Sequence, residues 1–187
     1  MPLTRAEIIA IQDNAECLHA AAAVHQALDQ MAAAITETLS ETLPVVLCVL
    51  NGGIIPTGQL LTRLGFPLET GYLHATRYRG KTRGADMHWL CEPSIELQER
   101  TVLIVDDILD EGLTLADIVD YCESSGAVEV YSAVLVQKQH QRCAAGVSAD
   151  FVGLQVEDRY VFGFGMDYKG YLRNMNGVYA LGEQGSQ

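Results

Sequence analysis

The apolar positions of this chain switch between a helical spacing and a strand-like spacing. From residue 21 to about residue 40 they recur every three or four positions, which predicts a helix with one apolar face. That face comprises Val24, Leu28, Met31, Ile35 and Leu39. Residues 45–50, VVLCVL, are apolar without a break, and residues 101–105 are nearly so. Runs of this kind are typical of strands that are buried on both faces.

Weaker signals complete the predicted order of elements. Thr4 and Glu7 have the spacing of a capping box, which predicts a short first helix. Gly126 marks the end of a helix that runs from about residue 114 to about residue 125. The other predicted elements are a helix over 57–64, a strand over 69–75, a strand over 128–136 that ends at Lys138, and short β-like runs in 150–181.

Strands and helices that alternate in this way predict an α/β fold with a central parallel sheet flanked by helices. The crossovers between parallel strands are right-handed. Ligands of such sheets bind at the carboxyl ends of the strands. The loops after the two most apolar strands, residues 51–53 and 106–114, are therefore the predicted site.

Composition excludes several classes of protein. The chain has 187 residues, the size of one domain, and its 49% of apolar residues can form a core, so it is not disordered. With 12 Lys+Arg and 24 Asp+Glu the formal net charge is −12, whereas a sequence-independent nucleic-acid binder needs a basic surface. No apolar stretch reaches the ~18 residues of a membrane span. The charged residues near the N-terminus are unlike a signal peptide.

The cysteines indicate a compartment. Five of them are scattered along the chain, and none is in a CxxC pair. This odd, unpaired set is typical of reduced thiols in a cytoplasmic protein, and it argues against a disulfide framework or a zinc site.

The segment VLIVDDILDEGLT, residues 102–114, holds the most informative cluster of acids. Asp106 and Asp107 follow a buried strand, Asp110 comes next, and Gly112 and Thr114 lead into a helix. The acids suit a hydroxylated or metal-bound ligand, and the backbone N–H groups at a glycine-containing helix start suit a phosphate. A sugar phosphate would bind to both, with its hydroxyls at the acids and its phosphate at the backbone N–H groups. A solvated acidic turn explains the same residues about equally well.

Two other resemblances of this segment fail on position. VLIVDD is similar to the first strand of response-regulator receivers, but Gln155 stands near the position where a receiver would have its phosphate-accepting aspartate. The spacing of Asp106, Asp107 and Asp110 is similar to the acidic box of isoprenoid synthases. That box lies on a helix of an all-helical protein, whereas here it follows a β-branched run.

The segment resembles more closely the phosphoribosyl-pyrophosphate signature of type I phosphoribosyltransferases, which has two acids, two apolar residues, Asp, a variable residue, Gly, a further residue and Thr. LCVLNGG (47–53) looks like the pyrophosphate loop of that family. YVFGFGMDYKGYLRNM (160–175) is similar to the tail of its hypoxanthine-guanine branch, and LVQKQ (135–139) supplies the lysine that this branch has facing the purine. These matches occur in the family's order and span residues 20 to 181.

The resemblance implies one domain over residues 1–187, with a core of about 40–150 and a smaller hood formed by about 1–20 and 151–187. It implies a magnesium-dependent enzyme of purine salvage. This enzyme would transfer 5-phosphoribosyl from phosphoribosyl pyrophosphate to hypoxanthine or guanine, giving IMP or GMP and pyrophosphate. Mg²⁺ would neutralise the pyrophosphate and hold the substrate in line.

The resemblance also implies a role for each matched residue. Asp110 would accept a proton near the purine N7, and Lys138 would donate to O6 and so favour 6-oxopurines over adenine. Tyr160 would stack on the base. The implied sets are Asp106, Asp107, Asp110, Glu111, Gly112, Leu113 and Thr114 for ribose and its 5-phosphate; Asn51, Gly52 and Arg173 for pyrophosphate; Lys138, Tyr160, Val161 and Asp167 for the purine; and Asp106, Asp107 and Asp167 for the metal.

Residues 76–89, TRYRGKTRGADMHW, are polar, glycine-containing and basic. They resemble the flexible catalytic loop of the family, in which Tyr78 would be the loop's aromatic residue. Closure of such a loop excludes water from the reacting centre. The basic side chains of the segment would face pyrophosphate; they are Arg77, Arg79, Lys81 and Arg83.

Three positions depart from the family pattern. Asn51 replaces the usual Lys or Arg of the pyrophosphate loop, Glu111 replaces the usual Thr of the phosphate loop, and Arg77 replaces a serine before Tyr78. The family often has a cis peptide bond entering the pyrophosphate loop, here between Leu50 and Asn51. These departures predict an enzyme with weakened binding of phosphoribosyl pyrophosphate.

Two alternatives stay open. One is a phosphoribosyltransferase that prefers xanthine, because Lys138 cannot distinguish bases that all carry O6. The other is a regulator that has kept the fold and binds the ribose phosphate without turnover. In each case the expected partners are small molecules in the cytoplasm, with no nucleic acid and no membrane. A homodimer or homotetramer is implied by the resemblance alone.

Overall fold

The computed structural model describes residues 2–77 and 87–182 and folds them into two sheets and four helices. The helices are α1 (Arg5–Asp13), α2 (Ala21–Leu39), α3 (Ile54–Leu61) and α4 (Leu113–Ser124). The capping box predicted for α1 is confirmed, since the Thr4 backbone N–H donates to Glu7 Oε2 at 2.7 Å and the Glu7 N–H donates to Thr4 Oγ1 at 3.3 Å. None of the helices in these described ranges is long and apolar enough to cross a membrane.

The larger sheet has six strands in the order β4-β3-β2-β5-β6-β7. All neighbouring pairs are parallel except β3 with β4, so the predicted parallel sheet is confirmed. Its strands are β2 (Val45–Val49), β3 (Glu69–Arg77), β4 (Met87–Cys91), β5 (Thr101–Leu109), β6 (Glu129–Gln139) and β7 (Phe151–Glu157).

The smaller sheet joins the two ends of the chain. Its strands are β1 (Ala15–Ala20), β8 (Val161–Phe162) and β9 (Gly177–Leu181), with β9 in the middle and antiparallel to both neighbours. We call this sheet, together with the turns between β8 and β9, the hood. Strand β7, which the sequence analysis assigns to the hood, belongs instead to the larger sheet, where it pairs with β6.

The core lies on both faces of the larger sheet. Alternate residues of β5 point to opposite faces, so Leu103 packs with α2 and α3 while Ile104 packs with α4. All five predicted stripe residues of α2 are buried. The same cluster includes Val178 of β9, and the hood therefore shares one continuous core with the sheet.

Some predicted boundaries were wrong. Helix α3 runs over Ile54–Leu61 rather than over 57–64, and Pro56 is tolerated in its first turn, where a missing N–H costs little. Strand β5 does not end at residue 105 but continues through both acids to Leu109. Pairing with β6 extends it, since Asp106 lies opposite Val134 and Leu109 opposite Gln137.

Replacement of Ile35 by alanine is expected to lower the free energy of unfolding by about 2–5 kcal/mol, because this fully buried side chain would leave a cavity in the shared core. Urea denaturation measures the loss. Glu37→Ala, at an exposed position of the same helix, should change stability by less than about 0.5 kcal/mol. Equal losses in the two variants would show that the stripe does not anchor α2.

Candidate active site

The carboxyl ends of β2, β5 and β6 meet at one edge of the larger sheet, where the sequence places the site. Strand β5 brings Asp106 and Asp107 there, the turn after it brings Asp110, and β6 brings Lys138. The hood covers this edge with the segment that follows β8. The structure thus brings residues from the core and from the hood, which are far apart in the sequence, to a single cleft.

The turn after β2 passes very close to the acids. A Cβ atom on Gly52 would lie 2.0 Å from Asp107 Oδ2, so a side chain at this position would displace the carboxylate. The hood approaches from the other side, where a Cβ on Gly165, at a φ of 111°, would lie 2.2 Å from the Gly52 carbonyl oxygen. The peptide bond between Leu50 and Asn51 is cis, as the resemblance implied.

Asp106 and Asp107 form an acidic pair, in which Asp107 is buried and Asp106 is partly buried. The Asp107 backbone N–H donates to Asp106 Oδ1 at 2.8 Å. Burial raises the pKa of the Asp106 carboxyl well above its usual range, and the neighbouring Asp107 charge raises it further. Burial also raises the pKa of Asp107. The surroundings therefore do not stabilise the ionised form of both carboxylates. Oxygen ligands with unbalanced negative charge fit a hard divalent cation such as Mg²⁺.

Arg173 links the acids of the core to those of the hood. Its guanidinium donates to Asp167 Oδ1 at 2.6 Å and to the Gly165 carbonyl at 2.6 Å, and it lies 3.8 Å from Asp107 Oδ2. The second oxygen of Asp167 accepts a hydrogen bond from the Gly170 N–H. Arg173 and Asn51 both line a cleft of about 370 Å³ between α3 and the hood.

Asp110 lies in a cluster of basic groups. Lys138 Nζ donates to its Oδ2 at 2.7 Å, His140 Nε2 contacts its Oδ1 at 2.6 Å, and Arg142 lies 3.6 Å from Oδ1. Burial alone would raise the pKa of Asp110, but the hydrogen bonds from Lys138 and His140 lower it below the usual value. Asp110 is therefore held as a carboxylate.

His140 and Arg142 are site residues that the sequence analysis missed. They lie in the turn after β6, in a polar run without a periodic signal. Arg142 also pairs with Asp158 through two hydrogen bonds of 2.5 and 2.9 Å. Those bonds, and the charges of Asp110 and Glu111, raise the pKa of the Arg142 guanidinium. The guanidinium of Arg142 therefore lies close enough to Glu111 to offset part of its negative charge.

A small cavity of about 150 Å³ lies between the core and the hood. Its lining combines carboxylates, an ammonium group and an aromatic ring: Asp107, Ile108, Asp110, Lys138, Tyr160, Val161, Met166 and Asp167. All four residues that the resemblance assigns to the purine are in this set. Tyr160 is 47% exposed and packs edge-on against Tyr168, so part of its ring is accessible beside the cavity.

A second cavity of about 540 Å³ follows the segment from Asp106 to Leu115. Gly112, at a φ of 79°, precedes the first turn of α4, whose free backbone N–H groups suit an anion. The turn before α4 is tied to the turn after β6, since the Glu111 carbonyl accepts a hydrogen bond of 2.8 Å from the Ala144 N–H. The lining of this second cavity includes all seven residues that the resemblance assigns to ribose and its 5-phosphate.

Asp110, His140 and Asp158 also present ligand atoms within 4.8 Å of one another. Lys138 and Arg142 already supply positive charge to this group. It is therefore a weaker candidate for a cation than the pair on β5.

The basic segment 76–89 is described only at its two ends. Residues 76 and 77 belong to β3, and residues 87–89 belong to β4, its antiparallel partner. Residues 78–86 of the predicted catalytic loop lie outside the described residues, and among them are Tyr78, Arg79, Lys81 and Arg83.

Comparison with known proteins places the chain among proteins of one family. A family model described as a phosphoribosyl transferase domain matches residues 14–169. The hypoxanthine-guanine-xanthine phosphoribosyltransferase of Tritrichomonas foetus is 29% identical over 152 residues, which cover 81% of this chain and 83% of that protein. The hypoxanthine-guanine phosphoribosyltransferase of Bacillus subtilis is 28% identical over 153 residues, or 81% of this chain and 84% of that one.

A solved structure shares the fold. The hypoxanthine phosphoribosyltransferase of Staphylococcus aureus superposes with a TM-score of 0.88 at 22% identity, covering 95% of this chain and 97% of that one. The central, mostly parallel sheet with flanking helices is thus the fold of these enzymes.

Asp106→Asn is expected to raise the melting temperature near neutral pH in the presence of EDTA. Because the folded-state pKa of Asp106 lies above that of the unfolded chain, ionisation of the carboxyl costs stability as the pH rises through both values. The amide cannot ionise, and its oxygen still accepts the Asp107 N–H. Calorimetry should show a gain of about 2–4 °C per kcal/mol relieved, and the gain should shrink towards acidic pH.

The matched control is Asp158→Asn, where the hydrogen bond from Arg142 lowers the pKa of the carboxyl to about 2. This variant should not be stabilised at any pH. A melting temperature of Asp106→Asn below that of the wild type near neutral pH would contradict the prediction.

Proposed function

Because this chain belongs to the phosphoribosyl transferase domain family, we propose that it transfers the 5-phosphoribosyl group of phosphoribosyl pyrophosphate to hypoxanthine or guanine. The products are IMP or GMP and pyrophosphate. One observation carries the choice of acceptor: Asp110 and Lys138 line the same small cavity beside Tyr160, next to the larger cavity at the start of α4. The names of the relatives from T. foetus and B. subtilis support it.

In the proposed reaction the purine N9 forms a bond to C1′ of the ribose while the bond from C1′ to pyrophosphate breaks, and its electron pair leaves with pyrophosphate. The proton on N7 passes to Asp110. Lys138 donates to O6, where negative charge grows as the proton leaves, and Tyr160 stacks on the ring. Asp110 is suited to accept the proton, since its basic neighbours hold it as a carboxylate.

Asp106 and Asp107 would bind the ribose 2′- and 3′-hydroxyls, directly or through a metal. The backbone N–H groups of residues 110–114, with the Thr114 hydroxyl, would hold the 5-phosphate. The Mg²⁺ that the family requires would neutralise charge on the pyrophosphate, held by Asp106 and Asp107 and at a second position by Asp167. Raised pKa values at the acidic pair support the first of these positions.

The departures from the family pattern bear on substrate affinity. Asn51 and Gly52 would offer pyrophosphate backbone and amide contacts but no charge, so Arg173 would be its cation among the residues described here. Glu111 adds negative charge beside the 5-phosphate, and Arg142 offsets part of it. We therefore propose a functional enzyme with weakened affinity for phosphoribosyl pyrophosphate.

Xanthine is a second candidate acceptor. It also carries O6, so Lys138 would bind it as well, and the relative from T. foetus is named for all three bases.

We further propose a cytoplasmic homodimer or homotetramer that binds neither nucleic acid nor membranes. The thiol state of all five cysteines supports the compartment, and a charge of −12 supports the absence of nucleic acid.

The purified protein, incubated with Mg²⁺ and phosphoribosyl pyrophosphate, is expected to form nucleotide with hypoxanthine and guanine. Asp110→Asn should lower kcat by about 10²- to 10⁴-fold, since the amide cannot accept the N7 proton. Spectrophotometric assays with hypoxanthine, guanine, xanthine and adenine measure this. Asp120→Asn, at an exposed position of α4, is the matched control and should keep wild-type activity.

If the protein acts mainly on xanthine, the assignment of the site stands and the proposed acceptor changes from hypoxanthine or guanine to xanthine. A folded protein that binds phosphoribosyl pyrophosphate with Mg²⁺ yet turns over none of the four bases would be the binding-only regulator, and the enzyme assignment would be wrong.

Lys138→Met is expected to lower kcat/KM for hypoxanthine by roughly 10- to 100-fold, because one hydrogen bond from a charged donor to O6 is lost. Adenine has no oxygen at this position, so its kcat/KM should change less, and the preference for hypoxanthine over adenine should narrow. Competition assays with both bases give the ratio directly. Lys138→Arg keeps the charge and separates the effect of charge from that of geometry. An unchanged ratio in Lys138→Met would exclude Lys138 as the residue that reads O6.

A further inference from the structure

We propose that His140 is a positioning residue for Asp110: it fixes one carboxylate oxygen, so that the other is the oxygen that accepts the proton from the base. This inference rests on the function proposed above and names the working atom of that site. The imidazole of His140 is 5% exposed and contacts Asp110 Oδ1 at 2.6 Å. The side chain comes from the turn after β6, not from the segment that carries Asp110.

The hydrogen bonds of His140 define its tautomer. Its Nδ1 faces the backbone N–H of Arg142 at 3.0 Å, and a backbone N–H can only donate. Nδ1 is therefore the acceptor and carries no proton. The proton of the neutral ring lies on Nε2, which donates to Asp110. The ring thus connects the backbone of its own turn to Asp110 in one defined orientation.

The two oxygens of Asp110 have different partners. Oδ1 is held by His140, with Arg142 3.6 Å away, and Oδ2 is held by Lys138. Lys138 and Asp110 both line the small cavity, whereas the described residues that line it do not include His140. His140 therefore acts on the carboxylate from outside the cavity that would contain the base.

This asymmetry assigns the reacting oxygen. When O6 of a base attracts the ammonium of Lys138, Oδ2 loses its partner while Oδ1 keeps His140. The carboxylate then cannot rotate freely, and Oδ2 is the oxygen left on the side of Lys138, a residue that lines the cavity. A base held in one orientation is effective because misplacement by about 1 Å costs on the order of 10²-fold in rate.

The turn that carries His140 is itself held on two sides. Arg142 is paired with Asp158 at the end of β7, and Ala144 donates to the Glu111 carbonyl next to Asp110. Asp110 and Asp158 place carboxylate oxygens within 4.8 Å of the ring, and these two acids are paired in turn with Lys138 and Arg142. The imidazole thus lies within a rigid set of contacts, which is what a positioning role requires.

His140→Phe and His140→Gln test the proposal together. Phenylalanine keeps the ring but removes the donor, so kcat with hypoxanthine should fall about 10- to 100-fold while KM for phosphoribosyl pyrophosphate changes little. Glutamine places an N–H near the position of Nε2 and should recover most of kcat. His25→Gln is the matched control, since its ring also contacts a charged side chain, Arg63, on the other face of the core.

Thermal unfolding of each variant shows that lost activity is not lost folding. An unchanged kcat in folded His140→Phe overturns the proposal. So does failure of a folded His140→Gln to recover activity that His140→Phe has lost. If the His140 variants raise KM for phosphoribosyl pyrophosphate and leave kcat unchanged, His140 serves phosphate binding, and the positioning proposal is also overturned.

A measurement without substrate separates this inference from the proposed function. Ring ¹⁵N NMR of the wild-type protein near pH 7 should show His140 as the Nε2–H tautomer, with a proton whose protection from exchange is lost in Asp110→Ala, where the side-chain acceptor is gone. An Nδ1–H or doubly protonated ring overturns the proposal even in an active enzyme. If the expected tautomer is found but no base is turned over, the enzyme assignment fails and the role of His140 in catalysis fails with it.

Discussion

Strand β5 brings two adjacent carboxylates out of a fully buried run and into a cleft, and its pairing with β6 fixes where they lie. Their neighbours follow from this arrangement. Gly52 has no side chain because Asp107 occupies that space, and the hood can reach Gly52 only because Gly165 also lacks one. Arg173 approaches Asp107 but is bonded more closely to Asp167. Among the residues that the structure describes, the acidic pair therefore has little positive charge beside it, which is the condition under which a divalent cation binds well.

The second acidic position has the opposite electrostatics. Asp110 is only three residues beyond Asp107, yet its neighbours Lys138 and His140 lower its pKa, whereas burial raises that of Asp107. The difference arises because the chain leaves the sheet between them, and the turn after β6 supplies the basic groups. One short segment therefore carries an acidic pair that would suit a cation and, beside it, a carboxylate that stays ionised without one. The proposed reaction uses both properties.

The sequence predicted the central parallel sheet with its flanking helices and most of the residues around the cleft. It did not predict the contacts among those residues. Helix α2 and strands β2 and β5 carry strong periodic signals because they form the core. Strand β1, AECLHA, was missed because its mixed pattern matches neither period, and its place depends on long-range pairing with β9. His140 was missed for a similar reason, since its role depends on how the turn after β6 folds back onto Asp110. Asp110 and Lys138 were found through the resemblance, whereas their salt bridge is visible only in three dimensions.

The core that the hood shares with the larger sheet has a consequence for the thermodynamics of binding. Val161 and Val178 of the hood pack in the same cluster as α2, so this wall of the small cavity is already ordered by the core. A base would displace water from preformed surfaces and would not have to order a loose segment on that side. Little conformational entropy would then be lost there, and the heat-capacity change would report buried apolar area rather than coupled folding.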